Sequence, residues 1–402
     1  VLYVHHAGPF GGASRSLFEL IRNFPTGTVA PLVMTKRGQF QAILAQSDID
    51  VLACRGVSQF DNTRYSYYRG MRWLVLLREL FYLPSTLYGL LSARRRWGSV
   101  DIVHVNDLTL IPVIWLARRL FACPLVAHVR SVQQPLTGLR GRILLGLLQN
   151  CVDRFVAIDE TVRRSLHDTF NAVVVHNGLS ISPSETVARE AKDDIFTVGM
   201  VGGLSRAKGC LEFVEAARIC RKRGLRARFV FVGQSMRPPA PLRDALLRLL
   251  GLSQEIEKEL KDRVAEASLA DCVEFWPFTL DLASVYRRLD VLCFPSHFDA
   301  PGRPIFEAAF FGVPSIAAIS APTPDTVVDG VTGLIVPPRQ PARLAEAILY
   351  LAQNPQIRKA MGEKARSLAH EHFDIRKNAG KVLALYRHLV SRGSDISAVT
   401  HQ

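Results

Sequence analysis

Three short segments combine glycine with ionisable side chains at places where an apolar run gives way to residues of helical period. The first, Gly8-Pro-Phe-Gly-Gly-Ala-Ser-Arg-Ser-Leu, places Gly11 and Gly12 just before a helical pattern. Glycine lets backbone approach a ligand closely, and a helix N-terminus favours anions. The second, Gly199-Met-Val-Gly-Gly-Leu-Ser-Arg-Ala-Lys-Gly, repeats the arrangement with Gly203, Arg206 and Lys208 in the loop. Two cations beside glycines suit a diphosphate, above all one whose charge grows as it leaves. The third runs from Pro295 to Pro314 and carries Asp299, Gly302 and Arg303, with a helix expected near Pro304 and Glu307 close to its start. Carboxylates at such a turn can accept hydrogen bonds from sugar hydroxyls, although a Glu in a first turn also stabilises the helix dipole.

Neither glycine loop has the G-x-G-x-x-G spacing of a dinucleotide site or the Walker spacing of a P-loop. His5, His6, His104 and His128 stand near strand ends, but no carboxylate cluster or D-x-D element accompanies them, so no metal site is expected. The seven cysteines are scattered without a C-x-x-C pair. Reduced thiols and a cytoplasmic setting follow as the expectation.

These segments need strands to carry them. In the first half, apolar runs predict strands at 2–4, 30–34, 102–105, 125–129, 154–158 and 172–176; in the second, at 196–201, 227–232, 273–276, 291–295, 315–318 and 333–336. Longer helical segments alternate with them, the pattern of a parallel sheet with crossover helices, occurring twice. A length of 402 residues fits two such domains. A surface connector from Leu179 through Arg189–Asp194 suggests domains at 1–185 and 186–375, with a C-terminal helix and tail at 376–402 that packs back toward the first.

Fifty Lys+Arg against thirty-six Asp+Glu give a net charge of +14. That attracts phosphates, acidic lipids or nucleic acid, but no nucleic-acid motif accompanies it. The segment Tyr65 to Trp97 mixes apolar residues with arginine and tyrosine and ends in Arg94-Arg95-Arg96-Trp97. It reads either as an amphipathic element for an anionic membrane or lipid-linked ligand, or as a core-packed helix pair broken at Pro84. No apolar run is long enough to span a bilayer.

Together the motifs resemble the retaining glycosyltransferases of family 4. The resemblance rests on Gly11 to Leu17, Asp101-Ile-Val-His-Val-Asn, Val175-His-Asn-Gly, Val201 to Gly209, Phe231-Val-Gly, Asp290 to Pro314 and Val328-Asp-Gly-Val-Thr-Gly-Leu, in that order and across nearly the whole chain. It implies the GT-B fold: an α/β chain of two Rossmann-like domains whose parallel sheets face each other across a deep cleft. It also implies a hexosyltransferase that uses a UDP- or GDP-sugar as co-substrate, needs neither metal nor cofactor, and acts on a saccharide or lipid-linked acceptor in envelope polysaccharide or glycolipid synthesis. A peripheral position at the inner membrane face follows as an expectation.

The resemblance implies roles residue by residue. Glu307 matches the carboxylate that bonds the donor's ribose, and Asp299, with seven residues between the two, stands where the family has a Glu facing the transferred sugar. Lys208 matches the family's phosphate-loop lysine, whereas the usual arginine of that loop is Gly203, leaving Arg206 or Arg303 to supply its charge. Backbone near Phe278 would meet the base. His128, ending Pro124-Leu-Val-Ala-His, matches the family's active-site histidine and would bond the donor sugar or position the acceptor. Asp325 and Ala321-Pro322 depart from the usual Glu and Gly-Gly. These departures keep open a second reading, a catalytically weak nucleotide-sugar-binding or scaffold protein on the same fold.

Overall fold

Runs such as Leu2-Tyr-Val-His and Val291-Leu-Cys-Phe are mostly apolar and buried at every position, which suits strands covered on both faces. The structure, a computed structural model, describes residues 1–64, 74–181, 195–233 and 256–399. The charged stretch 189–194 and residues 65–73 of the amphipathic segment lie outside them. Two units emerge, Val1–Ser180 with Phe373–Gln402, and Ile181–His372. The divisions fall at 180/181 and 372/373, where the sequence placed 185/186 and 375/376.

In the first unit β1 (Leu2–His5), β2 (Leu32–Lys36), β3 (Asp50–Cys54), β4 (Val103–Val105), β5 (Leu125–Val129), β6 (Arg154–Ala157) and β7 (Ala172–Val174) form one parallel sheet. Their order is β3-β2-β1-β4-β5-β6-β7. β3 was not expected: Asp50-Val-Leu-Ala-Cys is short and mostly half-buried at the sheet edge, so it lacks an interior strand's continuous apolar run. The described helices are α1 (Gly12–Arg22), α2 (Gln39–Ala45), α3 (Leu74–Trp97), α4 (Ile111–Leu120), α5 (Gly138–Cys151) and α6 (Glu160–Arg164).

In the second unit β8 (Phe196–Val201), β9 (Ala227–Val232), β10 (Val273–Trp276), β11 (Val291–Phe294), β12 (Ser315–Ala318) and β13 (Gly333–Val336) form a parallel sheet in the order β10-β9-β8-β11-β12-β13. Around it lie α7 (Cys210–Lys222), α8 (Ile256–Glu266), α9 (Leu282–Tyr286), α10 (Arg303–Phe310), α11 (Pro341–Gln353) and α12 (Pro355–His372). The last helix, α13 (Ile375–Val399), belongs to the first unit. Its Ile375, Ala379, Val382, Tyr386 and Leu389 share a core with Ile102, Val126, Val156 and Val175.

In each sheet the strand order reverses once, at β1/β4 and at β8/β11. In open parallel sheets ligands gather outside the carboxyl ends of the strands at that reversal. Those ends deliver the turn at Gly8–Gly12 in one unit, and the loops at 202–209 and 295–302 in the other.

Pro84 does not split its segment. α3 runs continuously from Leu74 to Trp97 with Pro84 inside it. Proline removes one helical hydrogen bond, and the loop at 56–58 ties down the helix on both sides of it. Ser58 Oγ donates to the Glu79 carbonyl (2.8 Å), while the Gly56 and Ser58 amides donate to Ser85 Oγ (3.3 Å) and Thr86 Oγ1 (2.8 Å).

Candidate functional site

The loop after β8 turns through Gly202 and a 3-10 turn at Arg206–Lys208 into Gly209, which caps α7 at φ +80°. A Cβ there would collide with the Pro295 carbonyl, so glycine is required twice over, by dihedral and by contact. The His297 amide donates to the Ala207 carbonyl (2.9 Å), and His297 Nε2 pairs with Glu212 Oε1 (2.8 Å). These bonds lock the loops after β8 and β11 to one another.

Lys208 sits between those loops. Its ammonium lies over the rings of Phe298 (5.0 Å) and Phe294 (5.5 Å), and among the described residues it forms no ion pair. Burial lowers its pKa from the ordinary lysine value. A partly desolvated cation with only aromatic faces for company is an incomplete arrangement that an anion would complete.

The carboxylates nearby are engaged. Glu307, in the second turn of α10 and only 4% exposed, accepts from Arg303 Nε at Oε1 (3.0 Å) and from Tyr286 Oη at Oε2 (2.9 Å). A carboxylate has about four acceptor positions, so two directions remain for a ligand. Asp299 has φ +47°, a left-handed conformation that Asp tolerates better than most residues, and its Oδ1 accepts the Ser320 amide (2.5 Å). Gly302 is the N-cap of α10, with Pro304 in its first turn.

The other residues singled out in this unit are placed as follows. Arg206 is held by Glu259 of α8 through two bonds (2.7 and 3.1 Å), and Arg303 by Glu307, so both candidates for the missing charge are in ion pairs. Gly203 is partly buried in the loop after β8. Phe278, 43% exposed, stands on the loop beyond β10, two places from β8 in the sheet order.

The first unit builds a different kind of centre at its own reversal. Arg130, just past β5, donates to Asn106 Oδ1 through Nε (2.8 Å) and Nη2 (2.6 Å), and to Asn177 Oδ1 through Nη1 (2.7 Å). That orients the Asn106 amide, whose Nδ2 donates to His5 Nδ1 (2.9 Å). His5 must then carry its proton on Nε2, which donates to Ser14 Oγ (2.9 Å), and Ser14 donates to the Pro9 carbonyl (3.0 Å). The chain of bonds ends on the turn that carries Gly11, the N-cap of α1, and Gly12, its first residue.

His128, on β5, is buried. Its Nδ1 faces His104 Nε2 (3.3 Å), and its Nε2 is buried without a hydrogen-bond partner among the described residues. Burial, then the Arg130 charge, holds the His128 and His104 pKa values down, His104 at about 3; burial, then His6 and Arg130, does the same for His5. Burial also lowers His6 to about 4. All four rings are neutral near pH 7. No group of His, Cys, Asp or Glu suited to a metal occurs among the described residues.

Sequence reading passed over Arg130, Asn106, Asn177, Ser14 and Tyr286. Asn106, Asn177 and Ser14 stand inside motifs already quoted, and Arg130 lies two residues past His128, so position near the strand ends was the usable signal. Tyr286, in the short helix before β11, carried no signal of its own.

Residues 184–368 match the family model for glycosyl transferases group 1, and residues 10–183 that for glycosyltransferase family 4. The D-inositol 3-phosphate glycosyltransferase of Saccharomonospora viridis is 28% identical over 342 residues, 76% of this chain and 75% of that protein. The α-D-kanosaminyltransferase of Streptomyces kanamyceticus is 27% identical over 51% of each chain. The crystal structure of Anabaena HepE in complex with UDP and glucose superposes with a TM-score of 0.69 at 20% identity, over 96% of this chain and 98% of that one. The last comparison establishes a shared fold.

Proposed function

The chain belongs to the group 1 glycosyltransferases of the GT-B fold, which use nucleotide-sugar donors, and we propose that it moves a hexose-type sugar from a UDP- or GDP-linked donor to a saccharide or lipid-linked saccharide acceptor. Lys208 carries this reading. A partly desolvated ammonium without a carboxylate partner among the described residues, at the point where the second sheet reverses, suits a diphosphate leaving group better than any neutral ligand. With Lys208 and the N-terminus of α7 supplying positive charge, transfer proceeds without a metal, and with retention of configuration as the family resemblance implies. UDP is the first nucleotide to test, because HepE binds it.

The deciding experiment incubates the protein with UDP-, GDP- and ADP-sugars and candidate acceptors, with and without chelator. Release of nucleoside diphosphate and the anomeric configuration of the first product are read by NMR. One donor consumed in chelator with retained configuration is expected; inversion, dependence on metal, or no turnover of any donor would sink the corresponding part of the reading. The engaged Asp299 favours a second reading, a binding protein with weak chemistry. Tight donor binding without transfer would select it.

A peripheral membrane position and a role in envelope polysaccharide or glycolipid synthesis draw support from α3. Leu77, Leu80, Phe81 and Tyr88 are all more than half exposed on it, and Arg94, Arg95 and Arg96 are exposed at its end. Sedimentation with vesicles containing anionic lipid, and its loss in Phe81→Ser/Tyr88→Ser, is the test; equal sedimentation with neutral vesicles would count against charge as the attraction.

A further inference from the structure

Arg130 stands at the head of a series of hydrogen bonds that crosses the carboxyl ends of three neighbouring strands, β5, β4 and β1, and stops at the start of α1. Arg130 follows β5, Asn106 follows β4, His5 ends β1 and Ser14 lies in the first turn of α1. Asn106, His5 and Ser14 are fully buried. The bonds run from Arg130 Nε and Nη2 to Asn106 Oδ1 (2.8 and 2.6 Å), from Asn106 Nδ2 to His5 Nδ1 (2.9 Å), from His5 Nε2 to Ser14 Oγ (2.9 Å) and from Ser14 Oγ to the Pro9 carbonyl (3.0 Å).

We propose that Arg130, Asn106, His5 and Ser14 are positioning residues for sugar transfer: together they hold the Pro9–Gly12 turn, and with it the first amides of α1, in the place where the donor's sugar is received. The proposal rests on the reading of the Gly11–Gly12 turn as a donor contact. The series has one direction because its first member can only donate. A guanidinium has no acceptor, so Asn106 must turn Oδ1 toward Arg130 and Nδ2 toward His5. His5 Nδ1 therefore accepts. Burial, then His6 and Arg130, disfavours the doubly protonated ring, so the single imidazole proton is on Nε2 and goes to Ser14. Ser14 has one hydroxyl proton, and the Pro9 carbonyl receives it. Reversal fails at the first step, since an Asn106 amide turned the other way would set its NH2 against two guanidinium N–H groups. Each later bond inherits that choice.

What the series holds is the Pro9 carbonyl. The same oxygen accepts the Gly11 amide (3.1 Å), which closes the turn, while the Gly8 carbonyl on its other side accepts the Phe40 amide of α2 (2.9 Å). Gly11, the N-cap of α1, makes no side-chain bond to the first amides of the helix, and those amides have no intrahelical acceptor. A cap without a side chain thus takes its position from Ser14, and Ser14 takes its direction from Arg130 across the strand ends.

The first measurement needs no variant of the series. Long-range proton–nitrogen NMR on the full chain with 15N-labelled histidine, the His5 signals assigned with His5→Gln, should show Nδ1 unprotonated and Nε2 protonated; the reverse overturns the proposal. Ser14→Ala then removes the hydroxyl and leaves a residue of high helix propensity. Because Lys208 of the second unit is read as the diphosphate contact, affinity for UDP or GDP, whichever binds, should stay within about twofold by calorimetry. Over the same substitution kcat for transfer should fall about tenfold, the order expected from leaving one buried partner unmatched. Transfer unchanged in Ser14→Ala, or nucleotide affinity lost in step with it, overturns the role of the series. The reading beneath it fails separately. Gly12 is exposed, and undiminished transfer by Gly12→Val overturns the turn as a donor contact, whereas transfer lost in Gly12→Val and kept in Ser14→Ala overturns the positioning alone.

Discussion

At the first sheet's reversal, polar side chains satisfy one another: Arg130 bonds Asn106 and Asn177, Asn106 bonds His5, and His5 bonds Ser14. At the second sheet's reversal, Glu307 is similarly enclosed by Arg303 and Tyr286, but Lys208 lies on two aromatic rings without a counter-charge among the described residues. The same topology therefore supports two electrostatic designs. Under the proposed function, neutral rings with fixed proton positions would discriminate hydroxyl directions, and a cation without a partner among the described residues would discriminate charge. The contrast separates residues that hold structure from residues that await a ligand, and substitutions can be chosen to break it.

The largest effect is expected where the second unit is closed. The Arg303–Glu307 pair is buried, both side chains at most 10% exposed. Glu307→Ala would remove the carboxylate from a buried guanidinium, and breaking such a pair costs about 3–5 kcal/mol. Urea unfolding should show a loss of that size, while Glu307→Gln, which retains one acceptor oxygen in the same shape, should lose less. If Glu307→Ala keeps its stability and loses only donor binding, Glu307 belongs with Lys208 among the groups that await a ligand.

Lys208→Met tests the open half. It removes a charge that no carboxylate among the described residues matches, so stability should hold or rise slightly. By analogy with deleting one transition-state donor, kcat/KM for the donor should fall about 100- to 1,000-fold. Loss of folding in place of loss of turnover would show that the cation is structural after all.

The third effect falls in the first unit. Asn106→Ala removes the acceptor of two Arg130 bonds and the donor that sets the His5 tautomer. Leaving such groups unmatched costs about 1–3 kcal/mol. Denaturant unfolding should record it, and His5 nitrogen spectra should show both tautomers where the parent shows one. A single unchanged His5 tautomer would mean that Ser14 alone sets it.

A pH titration then distinguishes the two centres by sign. Burial depresses the Lys208 pKa in the free protein, and a bound diphosphate would raise it again. The proton is thus held more tightly in the complex. Donor affinity is complete below the free-state pKa and declines as pH rises through it, by about tenfold per unit until the bound-state pKa is passed. The onset should lie below the ordinary lysine value and vanish in Lys208→Met. The imidazoles are neutral throughout that range and contribute nothing to the slope.

What could be read from sequence follows the same division. Strand-to-helix turns announce themselves through adjacent residues, so the glycine loops, the start of α10 and twelve of the strands were legible as local patterns. β3 was not, because an edge strand needs no fully apolar run, and the continuity of α3 through Pro84 depends on bonds from residues 56–58 that no helical pattern reveals. The family motifs located His128 and Lys208. They did not say that Asp299 would bond the Ser320 amide, that Arg206 would turn to Glu259, or that Tyr386 would reach His104, since each depends on a partner distant in sequence. Asp329 in Val328-Asp-Gly bonds the Ile335 amide (2.9 Å), so that motif shapes the turn into β13.

The smallest effect concerns Arg206. Its pair with Glu259 is solvent-facing, the arginine side chain 55% exposed, and exposed pairs contribute about 0–1 kcal/mol. Arg206→Ala should therefore leave stability nearly unchanged, and a double-mutant cycle with Glu259→Ala should return a coupling within that range. Donor affinity is the informative reading. If it is unchanged, Lys208 alone supplies the side-chain cation of this loop. If it falls tenfold in Arg206→Ala and improves in Glu259→Ala, the arginine exchanges Glu259 for the diphosphate, and the second unit holds two cations for its ligand, one of them kept on a carboxylate until the ligand arrives.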